Sequence, residues 1–374
     1  MNTAAKNPYE DLPKSAFWRS GVADVSPFSI SELWSPKHKL SKKKKIVTAG
    51  SCFAQHIGRA LAKNGYSWFD AEPAPQMFDP AISKEFNYGV FSFRTGNIYT
   101  ATALKQWVYW ALGKEEQPTE AWEKDGRFYD PFRPAIEPGG FSSAEEMLES
   151  RAATLAAIRR AITEGDRFVF TLGLTEGWVN TKQKYTYAMC PGTLAGTFDP
   201  AAHAFKNFSF SEIKSDLIAA LRAIREENPQ MSFLLTVSPV PLTATASGDH
   251  VLTATTYSKS VLRAVAGEVK EKFAYVDYFP SYEIITSPVF RGMFYEPNMR
   301  SVHPDGVSFV MRSFFEGLGA TDSDGGSDSE TPKAKARAGK RKKAARTPAP
   351  ASEADDGEND VVCEEMMLET FGNK

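Results

Sequence analysis

The sequence has little of what marks several protein classes. Cysteine occurs at only three of the 374 positions, Cys52, Cys190 and Cys363, and their spacing suits neither a zinc site nor a disulfide framework. We therefore expect a reducing compartment. The formal net charge is −2, which excludes a strong overall field that would attract nucleic acid or an acidic ligand.

Long apolar runs are also lacking. No stretch is long enough to span a bilayer, and residues 1–20 are polar and interrupted by proline, without the apolar centre of a signal peptide. We therefore expect a soluble, cytoplasmic protein with no membrane partner. There is no glycine-rich phosphate loop, EF-hand or metal-binding cluster of histidines and carboxylates, so we predict that the protein uses no metal or nucleotide cofactor.

What is present is enough apolar sequence for one sizeable core, since 42% of the residues are hydrophobic. Short apolar runs alternate with amphipathic helical patterns, which predicts βαβ units and a mainly parallel sheet in an α/β fold. The runs predicted to be strands are 45–50, 66–69, 166–173, 231–241 and 273–278.

The chain divides into three segments by composition. Residues 1–40 mix proline with aromatics and are predicted to form an extended N-terminal arm, and residues 41–320 form the α/β domain. Residues 321–374 carry acidic and basic blocks that cannot bury enough apolar surface, which predicts a disordered charged tail. Within it, 361–371 is predicted to form a short acidic helix, and the basic block 333–346 predicts no more than weak contacts with nucleic acid.

A glycine and a serine follow the first predicted strand and precede a helix. Gly50 and Ser51 therefore lie at the carboxyl edge of the sheet, where ligands of open α/β folds bind. The amides at the start of the next helix would point towards the Ser51 hydroxyl and support a developing negative charge. Ser51 is thus a candidate nucleophile. Cys52 beside it is a rival, but its flanking Phe53 and Ala54 favour a packing role.

The residues Gly50-Ser51-Cys52-Phe53-Ala54 spell the motif that names the GSCFA family, and the adjoining Gln55-His56-Ile57-Gly58 also match its pattern. That family resembles the SGNH, or GDSL-like, hydrolases. The resemblance covers about residues 40–320. It implies a flavodoxin-like three-layer sandwich with a serine nucleophile after the first strand, a late histidine, and oxyanion donors between them.

A serine needs a base before it can attack at neutral pH, and the chain has five histidines. His38, His203 and His250 lie in the arm or in loops, and His56 is five positions past Ser51 on a helix that turns it away. His303 remains, and its late position matches the family pattern. Ser51 and His303 are therefore predicted to form a catalytic pair.

The third member of a triad is where the sequence departs from the resemblance. SGNH enzymes carry an aspartate three positions before the histidine, and here that position is Arg300. An arginine cannot accept the imidazole proton. Glu296 and Asp305 are predicted as equally ranked substitutes, with Glu283 or a backbone carbonyl as further alternatives.

The oxyanion donors implied by the resemblance are the amides of Ser51 and Gly89 and an asparagine of a Gly-x-Asn-Asp block. The corresponding stretch here is Gly173-Leu174-Thr175-Glu176, in which the Thr175 hydroxyl can still donate a hydrogen bond. Because losing one donor typically costs about 10²–10³ in turnover, an active enzyme would need Thr175, Asn87 or Asn180 to compensate.

These residues predict a serine esterase-like hydrolase that acts on O-acyl esters, above all O-acetyl esters, of a small molecule or a glycan. Two alternatives stay open. The same site could transfer the acyl group to a sugar hydroxyl, or the protein could be a non-catalytic scaffold with a degenerate site whose charged tail recruits partners. The sequence does not indicate an oligomeric state.

Overall fold

The structure, a computed structural model, describes residues 6–319 and 361–372. The predictions for 320–360, including most of the disordered tail and its basic block, lie outside the described residues. In chain order the strands are β1 Ile46–Gly50, β2 Trp122–Lys124, β3 Arg127–Tyr129, β4 Arg167–Leu172, β5 Glu176–Asn180, β6 Thr186–Tyr187, β7 His203–Asn207, β8 Ser232–Val237 and β9 Val276–Tyr278.

The helices alternate with the strands of the main sheet, as the sequence predicts. They are α1 Ala54–Lys63, α2 Pro80–Glu85, α3 Ala101–Ala111, α4 Ala144–Glu164, α5 Phe210–Glu227, α6 Val251–Lys272, α7 Ser281–Thr286, α8 Pro304–Gly317 and α9 Glu369–Gly372. Serine caps fix the starts of α4 and α5, where Ser143 and Ser209 each accept a hydrogen bond from the amide three residues on. No helix within residues 6–319 or 361–372 has the length and apolar character needed to cross a membrane.

The central sheet is parallel, with the strand order β1-β4-β8-β9. The run 66–69, predicted as a strand, joins the free edge of β1 through a single bridge between Trp68 and Ile46. It stays this short because the chain then turns away, and the Ala71 amide donates to the Ser92 carbonyl at 2.7 Å. Counting this bridge as the second strand, the order is 2-1-3-4-5, which is the flavodoxin-like order. The predicted α/β fold with a mainly parallel sheet is confirmed.

Alternate residues of each strand pack on opposite faces of the sheet and make three layers. In β4, Phe168, Phe170 and Leu172 point to the core shared with α3, α4, α5 and α6. Val169 points the other way, into a second core with Phe53 and with side chains of α1, α7 and α8. Both faces of the sheet are buried, which is why its strands read as nearly continuous apolar runs.

Two segments, here called excursions, lie outside the three-layer sandwich. The first spans residues 122–140 and contains the β2–β3 hairpin. Asp130 attaches it to α4 through a buried ion pair of 2.8 Å with Arg151, and makes a second buried pair of 2.8 Å with Arg133 of the same excursion. The second is an antiparallel sheet of order β6-β5-β7 between β4 and α5, which the sequence does not predict. Its strands are short, so their periodicity gives little signal.

Residues 6–40, predicted to form an extended arm, contain three short helical turns, Lys14–Ala16, Arg19–Ala23 and Pro27–Ser29. Their anchor is Trp34, which is 8% exposed and stacks on Phe314 at a ring separation of 5.3 Å. At the other end of the chain, Glu364–Leu368 forms a 3-10 turn that leads into α9.

Candidate functional site

The candidate site lies where the order of the parallel strands reverses, between β1 and β4. In this strand order ligands bind in the crevice outside the carboxyl ends of the two strands. Ser51 directly follows β1 and Gly173 directly follows β4, so both reach this crevice. The structure thus places the predicted nucleophile and the predicted Gly173 side by side.

Two glycines allow the backbones to approach each other at Ser51. Gly50 has φ +132°, and a Cβ there would lie 2.4 Å from the Thr171 carbonyl oxygen. A Cβ on Gly173 would lie 3.0 Å from the Ser51 Cβ and 3.0 Å from the Tyr99 carbonyl oxygen. Glycine at both positions is therefore required for this packing.

The Ser51 hydroxyl is buried and unpaired. Ser51 is 2% exposed, and its Oγ has no hydrogen-bond partner among the described residues. The Thr175 hydroxyl, two residues beyond Gly173, is likewise buried without a partner in this part of the chain. Buried hydroxyls are nearly always hydrogen-bonded in native proteins, so two orphaned ones at a crevice point to a ligand that would complete them.

His303 does not reach Ser51 in this structure. It caps α8, where its Nδ1 accepts a hydrogen bond from the Asp305 amide at 3.2 Å, and its side chain is 40% exposed. A neutral imidazole whose Nδ1 accepts carries its proton on Nε2. In this arrangement the Nε2 atom cannot take a proton from serine, and the Ser51–His303 pair stays a prediction.

The two candidate acids lie differently with respect to His303. The Asp305 carboxylate is 3.6 Å from His303 Nδ1 but is 84% exposed. The backbone of Glu296 donates to the Ser301 carbonyl at 2.8 Å, within the loop that precedes the histidine. His56 is no substitute base, because burial, aided by Arg59, lowers its pKa to about 4.

Several of the expected oxyanion donors are already engaged. The Ser51 amide donates to the Thr171 carbonyl at 3.0 Å, and the Gly173 amide donates to the Tyr99 carbonyl at 3.0 Å. The amide groups of Asn87 and Asn180 are also bound, to the Ala135 carbonyl at 3.2 Å and to tyrosine hydroxyls. Each of these four groups thus already makes a hydrogen bond within the fold, although the Asn87 amide group has a second N–H. Their role as oxyanion donors stays a prediction.

Two of the predicted donors remain, and the structure adds a third. Thr175 keeps its hydroxyl unpaired, and Gly89, with φ +68°, is exposed on a loop whose next residues pack on Ala54 at the start of α1. Within the described ranges, the Cys52 amide has no hydrogen-bond acceptor either. The amide of the residue after a nucleophilic serine is a recurrent oxyanion donor. The motif Gly-Ser-Cys could have signalled it.

Charged side chains lie at this crevice, among them Lys259 and Glu365, which the sequence analysis did not single out. The Lys259 side chain, on α6, is 1% exposed and donates to the Gly173 carbonyl at 2.7 Å. Arg300, which replaces the expected aspartate, pairs with Glu365 at 3.3 Å, and the two side chains are 13% and 12% exposed. The C-terminal segment 361–372 therefore lies in the crevice. The sequence did not predict the contact between Arg300 and Glu365, because the two residues are 65 positions apart and no local pattern links them.

The pKa values of this cluster are shifted by burial and by mutual contacts. Burial and the neighbouring Cys363 raise the pKa of Glu365 to about 7, against the opposing effect of Arg300. Burial lowers the pKa of Lys259 to about 8. The Cys52 thiol donates to the Cys363 sulfur, and this hydrogen bond, together with the positive charge of Arg300, lowers the pKa of Cys363 to about 6. The same hydrogen bond and burial raise the pKa of Cys52. Cys52 is therefore buried and protonated, as a packing residue would be.

The sequence profile of the GSCFA family matches residues 45–314 of the chain. This range covers the central sheet with its two excursions, from the residue before β1 to residue 314, within α8. The chain belongs to the GSCFA family.

Other comparisons add less. A solved structure described provisionally as a platelet activating factor from Streptococcus pneumonia is similar at 14% sequence identity and a TM-score of 0.27. The similarity covers 46% of this chain and 67% of that one. No curated protein matches the chain.

A cavity of about 480 Å³ reaches Tyr99 and Leu174 next to the crevice, although no residue of the GSCFA motif is part of its lining. Tyr99 and Leu174, which flank the site, form one wall, and Leu368 and Phe371 of the C-terminal segment form another. The remaining lining is largely aromatic, with Trp107, Phe132, Trp178, Tyr187, Phe198 and Phe205. A mostly apolar cavity of this size with a few polar groups at one end is typical of a small-molecule site.

The GSCFA domain offers no evident place for a metal. Within residues 6–319 and 361–372, no three histidine, cysteine, aspartate or glutamate side chains are close enough to share an ion.

Proposed function

We propose that this GSCFA-family protein is a serine ester hydrolase that acts on O-acyl esters, above all O-acetyl esters, of a small molecule or a glycan. The observation that carries the proposal is the buried, unpaired Ser51 hydroxyl at the carboxyl end of β1. It lies at the point where this sheet order places ligands, and it has a free amide at Cys52 beside it.

The reaction would run in two steps. Ser51 Oγ attacks the ester carbonyl carbon while His303 takes the hydroxyl proton, and the carbon–oxygen bond to the alcohol then breaks as His303 returns that proton to the leaving alkoxide. Water attacks the acyl-serine in the second step, which releases the carboxylic acid and restores the serine. The amides of Cys52 and Gly89 and the Thr175 hydroxyl would hold the negative oxygen.

This mechanism requires His303 to leave its position as the cap of α8. Nε2 must lose its proton before it can accept the one from Ser51, so Nδ1 has to become the protonated nitrogen. Asp305, whose carboxylate lies 3.6 Å from Nδ1, can accept a hydrogen bond from that nitrogen once the Asp305 amide no longer donates to it. Apo structures often hold catalytic hydrogen bonds apart in this way.

The cavity that reaches Tyr99 and Leu174, on the Gly173 side of Ser51, is consistent with an organic substrate. Trp178 and Phe205 lie 5.8 Å apart in an edge-to-face arrangement on its wall. Aromatic walls of this kind suit the apolar face of a sugar ring or an acyl group. The same geometry serves acyl transfer, if a sugar hydroxyl takes the place of water.

A fluorophosphonate probe, which labels activated serines, tests the proposal. We expect the wild-type chain to be labelled at Ser51, Ser51→Ala to lose labelling, and His303→Gln to be labelled about 10²–10⁴ times more slowly. Ser260→Ala, an exposed serine on α6, is the control and should label like the wild type. Absence of labelling in folded wild-type protein would favour the scaffold alternative.

Product analysis separates hydrolysis from transfer. With 4-nitrophenyl acetate as donor, free acetate should be the product in the presence of a sugar alcohol acceptor. Acetylated sugar in its place would instead assign the site to acyl transfer.

A further inference from the structure

The C-terminal segment is held in the crevice by polar contacts at several points. The Gln55 side chain, in the first turn of α1, donates to the Val362 carbonyl at 2.7 Å and accepts from the Val362 amide at 3.1 Å. The Glu364 carboxylate accepts from the Tyr99 hydroxyl at 3.0 Å and also contacts the Asn97 amide group. These contacts place Glu365 against Arg300, in the same cluster of charges as Lys259.

Buried cations are unusual in proteins, because a charged side chain is rarely buried unless a partner compensates its charge. The Arg300 side chain is 13% exposed and Lys259 is 1% exposed. The Glu365 carboxylate, itself 12% exposed, is the anion that pairs with Arg300. The Cys363 sulfur, 3.8 Å from Arg300 Nη2 and with a pKa of about 6, supplies a second negative charge. The charges of the cluster are therefore matched, and what stays unsatisfied is the buried Arg300 Nε–H.

Glu365 is also an imperfect partner for Arg300. It makes one contact of 3.3 Å with Nη2, whereas Arg300 Nε is buried with no acceptor in the described part of the chain. A guanidinium binds carboxylates and phosphates best through two parallel hydrogen bonds. An anion that engages both nitrogens would therefore bind more strongly than Glu365 does.

We propose that Arg300 and Lys259 form a binding site for an anionic group of the substrate, a carboxylate or a phosphate, and that Glu365 occupies this site in the absence of substrate. The assignment of the ligand as a substrate rests on the proposed function, but the anion site itself does not. The pKa of about 7 for Glu365 agrees with a displaceable occupant, because its carboxylate is charged only part of the time at neutral pH.

The position of the anion site relative to Ser51 determines which esters the protein would prefer. Lys259 donates to the carbonyl of Gly173, and a Cβ on Gly173 would touch the Ser51 side chain. The cationic centre is thus one residue away from the serine. An ester whose charged group lies a few bonds from its carbonyl fits this spacing. When a neutral ester binds, Glu365 stays paired with Arg300.

Anion binding by the full-length chain tests the site without reference to catalysis. Inorganic phosphate and succinate are titrated into the wild type and into Glu365→Gln, and the dissociation constants are measured by calorimetry. We expect Glu365→Gln to bind both anions about tenfold more tightly, because the side chain at position 365 then carries no negative charge that competes with the added anion for Arg300. Glu369→Gln, an exposed acid on the same segment, is the matched control and should behave like the wild type.

A second substitution locates the binding. Adding Arg300→Gln to Glu365→Gln should weaken both anions at least tenfold, and Arg300→Lys should fall between, since it keeps the charge and loses the paired hydrogen bonds. Melting temperature and circular dichroism establish that each variant is folded. The proposal is wrong if folded Glu365→Gln binds phosphate no better than the wild type, or if Arg300→Gln leaves that affinity unchanged.

Substrate preference then links the site to the proposed function. The ratio of kcat/KM for 4-nitrophenyl hydrogen succinate to that for 4-nitrophenyl acetate should rise about tenfold in Glu365→Gln and fall again with Arg300→Gln. Hydrolysis of both esters with a ratio independent of Arg300 would overturn the anion preference and keep the esterase. If phosphate binding depends on Arg300 but neither ester is hydrolysed, the anion site is supported and the proposed esterase activity is wrong.

Discussion

Gly50 gives the sharpest test of how Ser51 is positioned. Its φ of +132° is a conformation that costs other residues about 1–3 kcal/mol. In Gly50→Ala the new Cβ would also lie 2.4 Å from the carbonyl oxygen and 2.6 Å from the amide nitrogen of Thr171. Both atoms belong to β4, which pairs on both sides within the sheet and cannot move aside easily.

Overpacking of this kind typically costs about 1–3 kcal/mol, and more where only backbone can yield. Together with the backbone strain, we expect Gly50→Ala to lower the free energy of unfolding by about 4 kcal/mol. Gly65→Ala is the matched control, because Gly65 has φ +72° but no atom within 4 Å of the added Cβ. It should cost about 1–2 kcal/mol, from the positive φ alone.

The assay is urea unfolding followed by tryptophan fluorescence, combined with fluorophosphonate labelling of the folded fraction. Because the free energy of unfolding falls by about 1–3 kcal/mol per molar urea, the difference of about 2–3 kcal/mol between the two variants should separate their urea midpoints by roughly 1 M. Labelling of Ser51 should also fall in Gly50→Ala and persist in Gly65→Ala. Equal destabilisation by the two substitutions would refute the argument that β4 restricts the turn.

Two further predictions concern the buried ion pairs and the C-terminal segment. Asp130→Asn should destabilise the fold by about 3–5 kcal/mol, because it leaves Arg133 and Arg151 buried without their anion, whereas Glu227→Gln at an exposed pair should cost under about 1 kcal/mol. Although burial opposes it, Arg151 and Arg133 lower the pKa of Asp130, so its stabilisation is present above the unfolded pKa of about 3.9 and is lost as the pH falls through the lower folded value. Urea unfolding at several pH values should therefore show the difference between wild type and Asp130→Asn narrowing in acid, and a difference that widens in acid would contradict the assignment. Diamide should join Cys52 to Cys363 by taking up their two electrons and two protons, because their thiols share a hydrogen bond and the pKa of Cys363 is about 6. Peptide mapping without reductant should find this disulfide in the wild type and not in Cys363→Ser, and cross-links to Cys190 alone would show that the segment lies elsewhere.

The fold was predictable because its signals are local. Apolar runs of strand length alternate with amphipathic helical patterns, and both faces of a parallel sheet are buried, so the runs stand out. The run 66–69 was overestimated, since a local pattern cannot show that the chain leaves the sheet edge after one bridge. The antiparallel sheet of β5, β6 and β7 was missed because strands as short as Thr186–Tyr187 carry almost no periodicity.

The candidate site was predictable in part. Gly50 and Ser51 are adjacent in the sequence and follow a strand, so their place at the edge of the sheet followed from local pattern. The acceptor that Asn87 contacts could not be predicted, because the Ala135 carbonyl belongs to the first excursion, 48 positions further along the chain. Such pairing depends on tertiary contacts that no spacing along the chain encodes.

The sequence by itself determined the α/β sandwich, the family and the position of Ser51, because each depends on residues that are close along the chain. Only the tertiary structure decided what surrounds that serine. Arg300, unexplained as a replacement for an aspartate, pairs with Glu365 across 65 positions, and Lys259 reaches the same crevice from α6. The physical reason is burial, since a buried charge requires a partner and the fold alone determines which part of the chain supplies it.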